Sequence, residues 1–280
     1  MVDLQVAGRV VAEYVVKPDV DPRHGPRPYL HPVRTLGGTA VTDVLPEDHR
    51  WHLGVSVAVQ DVDGTNLWGG RTYVRDAGYT WLDDHGRIVH DGWLAGPERA
   101  GLAERLLWQD PAGETLLVEE RTLAASPAPH GWTLDFAFTL TAPPGSVPPG
   151  SVPPGSAVSG SAGVRLGSPA TNGRPGGAGY GGFFWRLPPG VPEVFTSTVE
   201  GEEKCNGSAD PWLAVRGAGY TLVFSGLAGD DRWFVRAAGY PGVCAALAWE
   251  RPLTIPAGGS LSRRYQVLVA DGALDRETIQ

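Results

Sequence analysis

The residues best equipped for chemistry crowd into one stretch, RPYLHPVRTLGGTAVTDVLPEDHRWHLGVSVAVQDVDGTNLWGGRTY, which runs from Arg27 to Tyr73. It carries three of the seven histidines, His31, His49 and His52, together with Asp48, Arg34, Arg50, Arg71, Asn66 and Trp68. Such groups are costly to bury without partners, so crowding them among residues of core-strand type points to a polar site let into an apolar scaffold. The spacing His49-x-x-His52 after Asp48 lets both imidazoles sit on one side of a turn, and His31 offers a third nitrogen from a neighbouring strand. Three neutral imidazoles would hold a divalent metal with a position open to water or substrate. Alternatively, a histidine titrating near neutrality moves a substrate proton, with Asp48 or Arg50 tuning it. A third use is purely structural, as hydrogen-bonded groups, and the residue types leave all three open. His24, His85, His90 and His130 stand in turn-like or polar settings and read as surface residues.

Two more segments bear on a site. GGAGYGGFFWR (176–186) packs glycines and aromatics ahead of Arg186. Glycine lets backbone approach a ligand, and an aromatic such as Tyr180 can stack on a sugar or ring. The plain alternative is a bulged strand with core aromatics. NGSADPW (206–212) reads as a turn that could set Trp212 on the rim of a pocket.

The elements that must position these groups are almost all strands. Runs such as VAGRVVAEYVV (6–16), HLGVSVAV (52–59), TLLVEERTLA (115–124), WTLDFAFTLTA (132–142), YTLVFSGLA (220–228), WFVRAAGY (233–240) and RRYQVLVA (263–270) are short and punctuated by 39 glycines and 25 prolines. Several alternate apolar and polar residues at period two, the mark of a strand with one face on a core. Pro97–Leu107 is the best helical candidate, weakened by Gly101. This pattern predicts a large, mainly antiparallel β-sandwich as one domain over 1–280. Inside it PPGSV PPGSV PPGSA, followed by VSGSAG, lacks the donors and side chains to join a ladder or fill a core. The segment 143–179 therefore reads as a disordered surface insertion, not a domain boundary.

Composition narrows the partners. With 280 residues, 42% hydrophobic and 19% charged, the chain can bury a large core. A net charge of −8 opposes sequence-independent nucleic-acid binding, which needs a basic face, and suits a neutral or weakly charged ligand. No apolar run reaches the roughly 18 residues of a membrane span, and Met1-Val2-Asp3 opens without a signal-like segment. A cytoplasmic protein is expected, in which Cys205 and Cys244 are free thiols.

The stretch 27–73 resembles a bacterial family usually labelled "methane oxygenase PmoA", whose members carry a proline-tyrosine lead, an early His-Pro, a D-H-x-H-H segment and an Asn/Asp-x-Trp-Gly pattern. GRIVHDGW, LLVEERTL, GYGGFFWR and GGSLSRRYQVLVADG fit the same family, so the likeness covers most of the chain outside the repeat. Family carry-over falls on His31, Asp48, His49, His52, Asn66, Trp68 and Arg186, with a departure at Trp51, where many relatives have a second consecutive histidine. The resemblance implies a soluble protein of bacterial sugar catabolism, accompanied by sugar oxidoreductases, in a sandwich like that of the galactose mutarotases. On that footing the leading expectation is an epimerase, lyase or hydrolase acting on a sugar or oxidised sugar derivative. His49 and His52 would be acid/base groups or metal ligands, and His31 and Asp48 would orient them. Arg34, Arg50, Arg71 and Arg186 would bind oxygens or an acid group, and Trp68 would stack on the ring. The alternatives are a non-catalytic carbohydrate-binding or assembly protein and a metal-dependent oxygenase.

Overall fold

The computed structural model describes residues 1–145 and 163–279. Two antiparallel sheets dominate it. One has seven strands in the order Val2–Val6, Arg9–Val15, Tyr29–Val33, Val55–Ala58, Gly182–Arg186, Gly242–Ala246, Arg232–Arg236. The other has eight, in the order Glu193–Thr196, Trp212–Gly217, Tyr220–Ser225, Ser260–Asp271, Gly131–Thr141, Thr115–Ala128, Gly101–Gln109, Arg87–Glu98. Helix among the described residues is confined to single turns such as Glu202–Cys205 and Arg276–Ile279. None is long and apolar enough to cross a membrane.

The inner faces of the two sheets meet in one apolar core. Phe136 of one sheet touches Phe183 of the other at 5.0 Å between ring centroids, Phe183 stacks on Tyr265 at 5.1 Å, and Trp185 meets Phe224 edge-on at 5.5 Å. Strict alternation decides what reaches the opposite face of the seven-stranded sheet. Along Gly182–Arg186, Phe183 and Trp185 point into the core while Phe184 joins a second apolar cluster with Ala58, Trp68, Phe234, Cys244 and Ala246. All five residues of that strand are nevertheless buried, so its outer face is covered as well. The cover includes the turn of residues 47–52, the hairpin of Thr72–Val74 and Gly78–Thr80, and the loop that carries Arg174 and Tyr180, all of which contribute to the cleft described below.

Two expectations are corrected. Pro97–Leu107 is not a helix but a hairpin turn, with Glu98 opposite Gly101, running into the strand Gly101–Gln109. The following residues bury Leu102, Glu104, Leu106 and Trp108 alternately, and the period-two pattern outweighs helix propensity once a sheet is available to cover it. Gly101 is required there because a Cβ would collide with the Leu123 carbonyl. Nor is all of 143–179 a loose insertion. Gly163–Gly167 is a strand paired with Leu253–Pro256 and Asp61–Val62, it buries Val164 and Leu166, and Ser168 Oγ donates to the Ala248 carbonyl at 2.7 Å. The PPGSV repeat from residue 146 onward lies outside the described residues.

The core also holds an ionic cluster. Glu104, Glu119, Arg121 and Tyr14 are all fully buried. Arg121 donates to both Glu119 oxygens at 2.7 and 3.0 Å and to the Tyr14 hydroxyl at 2.9 Å. Tyr14 in turn donates to Glu104, whose other oxygen meets His90 Nδ1 at 2.6 Å, and Trp108 Nε1 donates to Glu119 at 2.8 Å. His90 is therefore an interior partner and not the surface residue expected of it.

Candidate functional site

Residues Leu45 to His52 form a closed loop: Leu45 N–H donates to the His52 carbonyl, His49 N–H to Pro46 and His52 N–H to His49, at 2.9–3.0 Å. That winding puts the His49 and His52 rings 4.8 Å apart. Their surroundings differ. His49 Nδ1 lies 2.9 Å from an Asp48 oxygen, and because a carboxylate only accepts, a proton sits on Nδ1, so that the neutral ring has its lone pair on Nε2. The same bond holds the Asp48 carboxyl below its usual range. His52 is 5% exposed, and burial, then the neighbouring His49, Arg186 and Arg27, pushes its pKa well down, so it is neutral at pH 7. Arg186 NH1, a donor only, faces His52 Nδ1 at 3.4 Å, which places the His52 proton on Nε2. One imidazole thus offers an acceptor and the other a donor.

These groups open on a cavity of about 550 Å³. Its floor is Trp68 and Phe184, 4.8 Å apart, and its walls include Trp51, Tyr79, Trp81, Tyr180, Phe234 and Tyr240. The sequence reason for the floor is Asn66-Leu-Trp-Gly-Gly. Asn66 Oδ1 accepts the N–H groups of Trp68 and Gly69 at 3.0 and 2.8 Å, and Asn66 Nδ2 donates to Thr72 at 2.8 Å, which winds the chain into a turn that presents the indole. Gly70, at φ +70°, lies against the Trp51 ring where no Cβ would fit. Arg27 joins the two walls from beneath. Fully buried, it donates to the Gly25, Trp68 and Trp51 carbonyls at 2.9–3.0 Å and to Ser56 Oγ at 3.0 Å. Burial, with the nearby Arg121 charge, brings it down to about 9.

At the other end of the cleft Gln60, 2% exposed, donates through Nε2 to the Arg71 carbonyl at 3.2 Å and to the Tyr180 hydroxyl at 3.0 Å, while Tyr180 and Tyr79 share a 3.0 Å hydrogen bond. Burial raises Tyr180 well above the ordinary tyrosine range, so it stays protonated.

The cleft gathers Asp48, His49, Arg50, His52, Trp68, Arg71 and Tyr180 from the expected set. It leaves out four. His31 turns away to Thr42, with Nδ1 3.0 Å from its hydroxyl. Arg34 is exposed elsewhere and reaches only the Gly38 carbonyl. Asn66 is spent on its own turn, and Arg186 stands behind His52 with Asp43 at 3.6 Å, positioning it instead of meeting a ligand. Consequently the metal triad of His31, His49 and His52 is not assembled, and no group of three potential ligand side chains suited to an ion occurs among the described residues. Trp212 packs edge-on against Phe195, away from this cleft. His24 lines the cleft, and His85 is buried with Nε2 2.6 Å from the Gly70 carbonyl, so neither is a plain surface residue. Gln60, Tyr79, Trp81, Arg174 and Tyr240 also line the cleft and were not anticipated. Their only sequence signal was an aromatic and polar character shared with ordinary strands and turns.

The whole chain, residues 1–280, matches the profile of a family of unknown function (DUF6807), and the protein belongs to that family. The match supplies no oxygenase label. No curated protein sequence matches significantly. Among solved structures the chain resembles an aldose 1-epimerase candidate from Escherichia coli K12 (TM-score 0.40, 10% identity, 97% of this chain and 99% of that one). It also resembles an α-galactosidase from Lactobacillus brevis (0.37, 10%, 94% and 34%). A third is the heparan sulfate lyase HepC from Pedobacter heparinus (0.29, 12%, 68% and 22%). The chain spans about a fifth of the lyase and a third of the galactosidase. Likeness of that size says nothing about what this cleft does, and its chemistry rests on its own residues.

Proposed function

We propose that this member of the DUF6807 family is a carbohydrate-processing enzyme that moves a proton at a sugar carbon, in an epimerisation or β-elimination. The observation that carries the reading is the pairing of two imidazoles, held in opposite tautomers by their partners, beside an aromatic floor. His49, oriented by Asp48, has Nε2 free to accept a proton. His52, kept neutral by burial and backed by Arg186, presents Nε2–H to an oxygen on which negative charge develops. Trp68 provides the face on which a sugar ring lies. An oxidised sugar fits this chemistry best, because a carbonyl acidifies the adjacent C–H. His49 takes that proton and His52 holds the enolate oxygen; in epimerisation water protonates the other face of the carbon and His49 gives its proton to solvent, and in elimination the β C–O bond breaks and its alkoxide takes the proton from His49. A partner sugar oxidoreductase would supply the carbonyl, and buried free cysteines suit the reducing cytoplasm where such partners work. Hydrolysis is less well served, since Glu47 and Asp48 are neighbours on one turn and do not flank the cleft as a carboxylate pair.

The test is deuterium incorporation. Purified protein incubated in D2O with hexoses and their keto derivatives should exchange a ring C–H, read by NMR, and His49→Ala should abolish it. Retained ligand binding with no exchange in any substrate would instead favour a carbohydrate-binding protein, for which the aromatic floor is equally suited.

A further inference from the structure

The two ends of the cleft differ in charge. Asp48, Glu47, Arg50 and both imidazoles occupy one, where the two carboxylates and the cation share a turn and Asp48 is already tied to His49. The other end carries Arg71 and Arg174. Neither guanidinium has a carboxylate within ion-pair distance among the described residues, whereas Arg165, next to this region, is paired with Asp61 at 2.6 Å. Both are held over aromatic rings. Arg174 lies 5.1 Å from the Tyr79 centroid and Arg71 6.0 Å from that of Trp81. Stacking of this kind fixes the plane of a guanidinium and leaves its N–H edge free for a partner.

The hydrogen bonds beneath them are also incomplete. Gln60 must turn its amide N–H toward the Arg71 carbonyl, which can only accept, and its Oε1 is left buried without a partner. Tyr180 accepts from Gln60, and the arrangement that leaves no hydroxyl proton idle has it donate to Tyr79, whose own O–H is then available to the cleft. Leaving a buried acceptor unmet is destabilising, so this end suits a ligand carrying a hydroxyl donor and an anionic group together.

We propose that the cleft takes an acidic sugar, a uronate, whose carboxylate is held by Arg71, Arg174 and the Tyr79 hydroxyl while a ring hydroxyl donates to Gln60 Oε1 and the ring lies on Trp68. This rests on the carbohydrate reading of the same cleft and adds the charge of its substrate. It also departs from the neutral ligand suggested by the net charge of −8, because the local charge at this end is the opposite of the average. A guanidinium fork receives carboxylate and phosphate alike, and a carboxylate is preferred here because the described helices, each a single turn, furnish no N-terminal phosphate cradle.

Calorimetry and quenching of the cleft tryptophans by D-glucuronate, D-galacturonate, D-glucose, D-galactose, glucose 6-phosphate and benzoate would decide it. A uronate is expected to bind about tenfold to a hundredfold more tightly than its neutral hexose, the range of charge-assisted hydrogen bonds, and to lose that margin in Arg71→Gln and Arg174→Gln. Gln60→Leu should weaken uronate and hexose alike. Equal binding of hexose and uronate, a preference that survives both arginine substitutions, or tighter binding of glucose 6-phosphate than of glucuronate would each overturn the acidic assignment and leave the carbohydrate reading standing. Benzoate bound as well as the uronates, with no hexose bound, would overturn the carbohydrate reading and with it the uronate. Both substituted positions are at least partly exposed, so a thermal midpoint matching the parent confirms that each variant is folded.

Discussion

Two of the polar clusters let into this apolar scaffold are built on opposite terms. The ion cluster between the sheets is closed. Glu119 receives Arg121 and Trp108, Glu104 receives Tyr14 and His90, and Arg121 spends its N–H groups on Glu119, Tyr14 and the Pro28 carbonyl. Mutual charge raises Arg121 above its ordinary value although burial opposes it. The cleft is open: among the described residues Gln60 Oε1 lacks a partner and Arg71 and Arg174 lack counter-ions, and the two histidines show a lone pair and a proton to empty space. Equal polarity therefore does not mean equal purpose. A cluster whose valences are satisfied internally has nothing left for a ligand, and one with open valences is less stable than it could be unless something binds.

The largest expected effect strikes the closed cluster. Arg121→Met leaves Glu119 buried without its cation, which typically costs about 3–5 kcal/mol. At roughly 2–4 °C per kcal/mol for a chain of this size, the thermal midpoint should fall by about 10 °C, while the protein that remains folded binds ligand like the parent. A matched loss of affinity would show that the two clusters are coupled through Arg27, and the comparison drawn above would fail.

The second effect belongs to the cleft and should have the opposite signature. His49→Ala is expected to lower turnover by about 100-fold or more, the usual contribution of general base catalysis, with a midpoint within about 1 °C of the parent. Activity that survives in saturating substrate would remove His49 from the chemistry.

How much of this was legible in the sequence follows the same division. The strands were, because alternation in WTLDFAFTLTA and RRYQVLVA reflects burial of one face, and burial is what the pattern encodes. The location of the cleft was also legible, since His49, His52 and Trp68 come from a single stretch. Partner assignments were not. Asn66 and Arg186 carry the chemistry of ligand binders, yet their hydrogen bonds are consumed by their own turn and by His52, which only the fold decides. Glu104, Glu119 and Arg121 are charged residues at inward positions of the alternation, and their compensation by one another is a three-dimensional fact that spacing does not carry. Tyr79, Arg174 and Gln60 reach the cleft from the short strand Gly78–Thr80, a loop and the chain just beyond Val55–Ala58, with nothing in their spacing to announce it.

A third prediction tests the positioning role assigned to Asn66. Asn66→Ala removes the acceptor of two N–H groups in the turn that carries Trp68, and should cost about 1–3 kcal/mol of stability together with weakened sugar binding. Asn66→Asp keeps that acceptor and should recover most of the binding. If Ala and Asp behave alike, the side chain contacts ligand directly and not through the turn.

The smallest effect is a difference in slope, and it is the sharpest probe of the open cluster. His52 has a folded-state pKa depressed by burial, so between its unfolded value near 6.5 and that lower value the unfolded chain binds a proton that the folded chain refuses. The stability this group contributes is therefore fully present above about pH 6.5 and is lost as the pH falls toward the folded pKa, by at most about 1.4 kcal/mol per pH unit. His24 and His31 are lowered by burial too and add slope of the same sign, so the parent curve alone does not isolate His52. The contrast between parent and His52→Gln does, because glutamine keeps a donor but does not titrate. Denaturant midpoints measured from pH 7.5 to 5.5 should show a gap that is constant above pH 7 and shifts below 6.5 in favour of the variant. A gap that stays constant across the whole range would mean that His52 charges as readily in the folded protein as in the unfolded chain. The neutral donor on which the proposed chemistry depends would then be lost, and the cleft would be a second closed cluster like the one between the sheets.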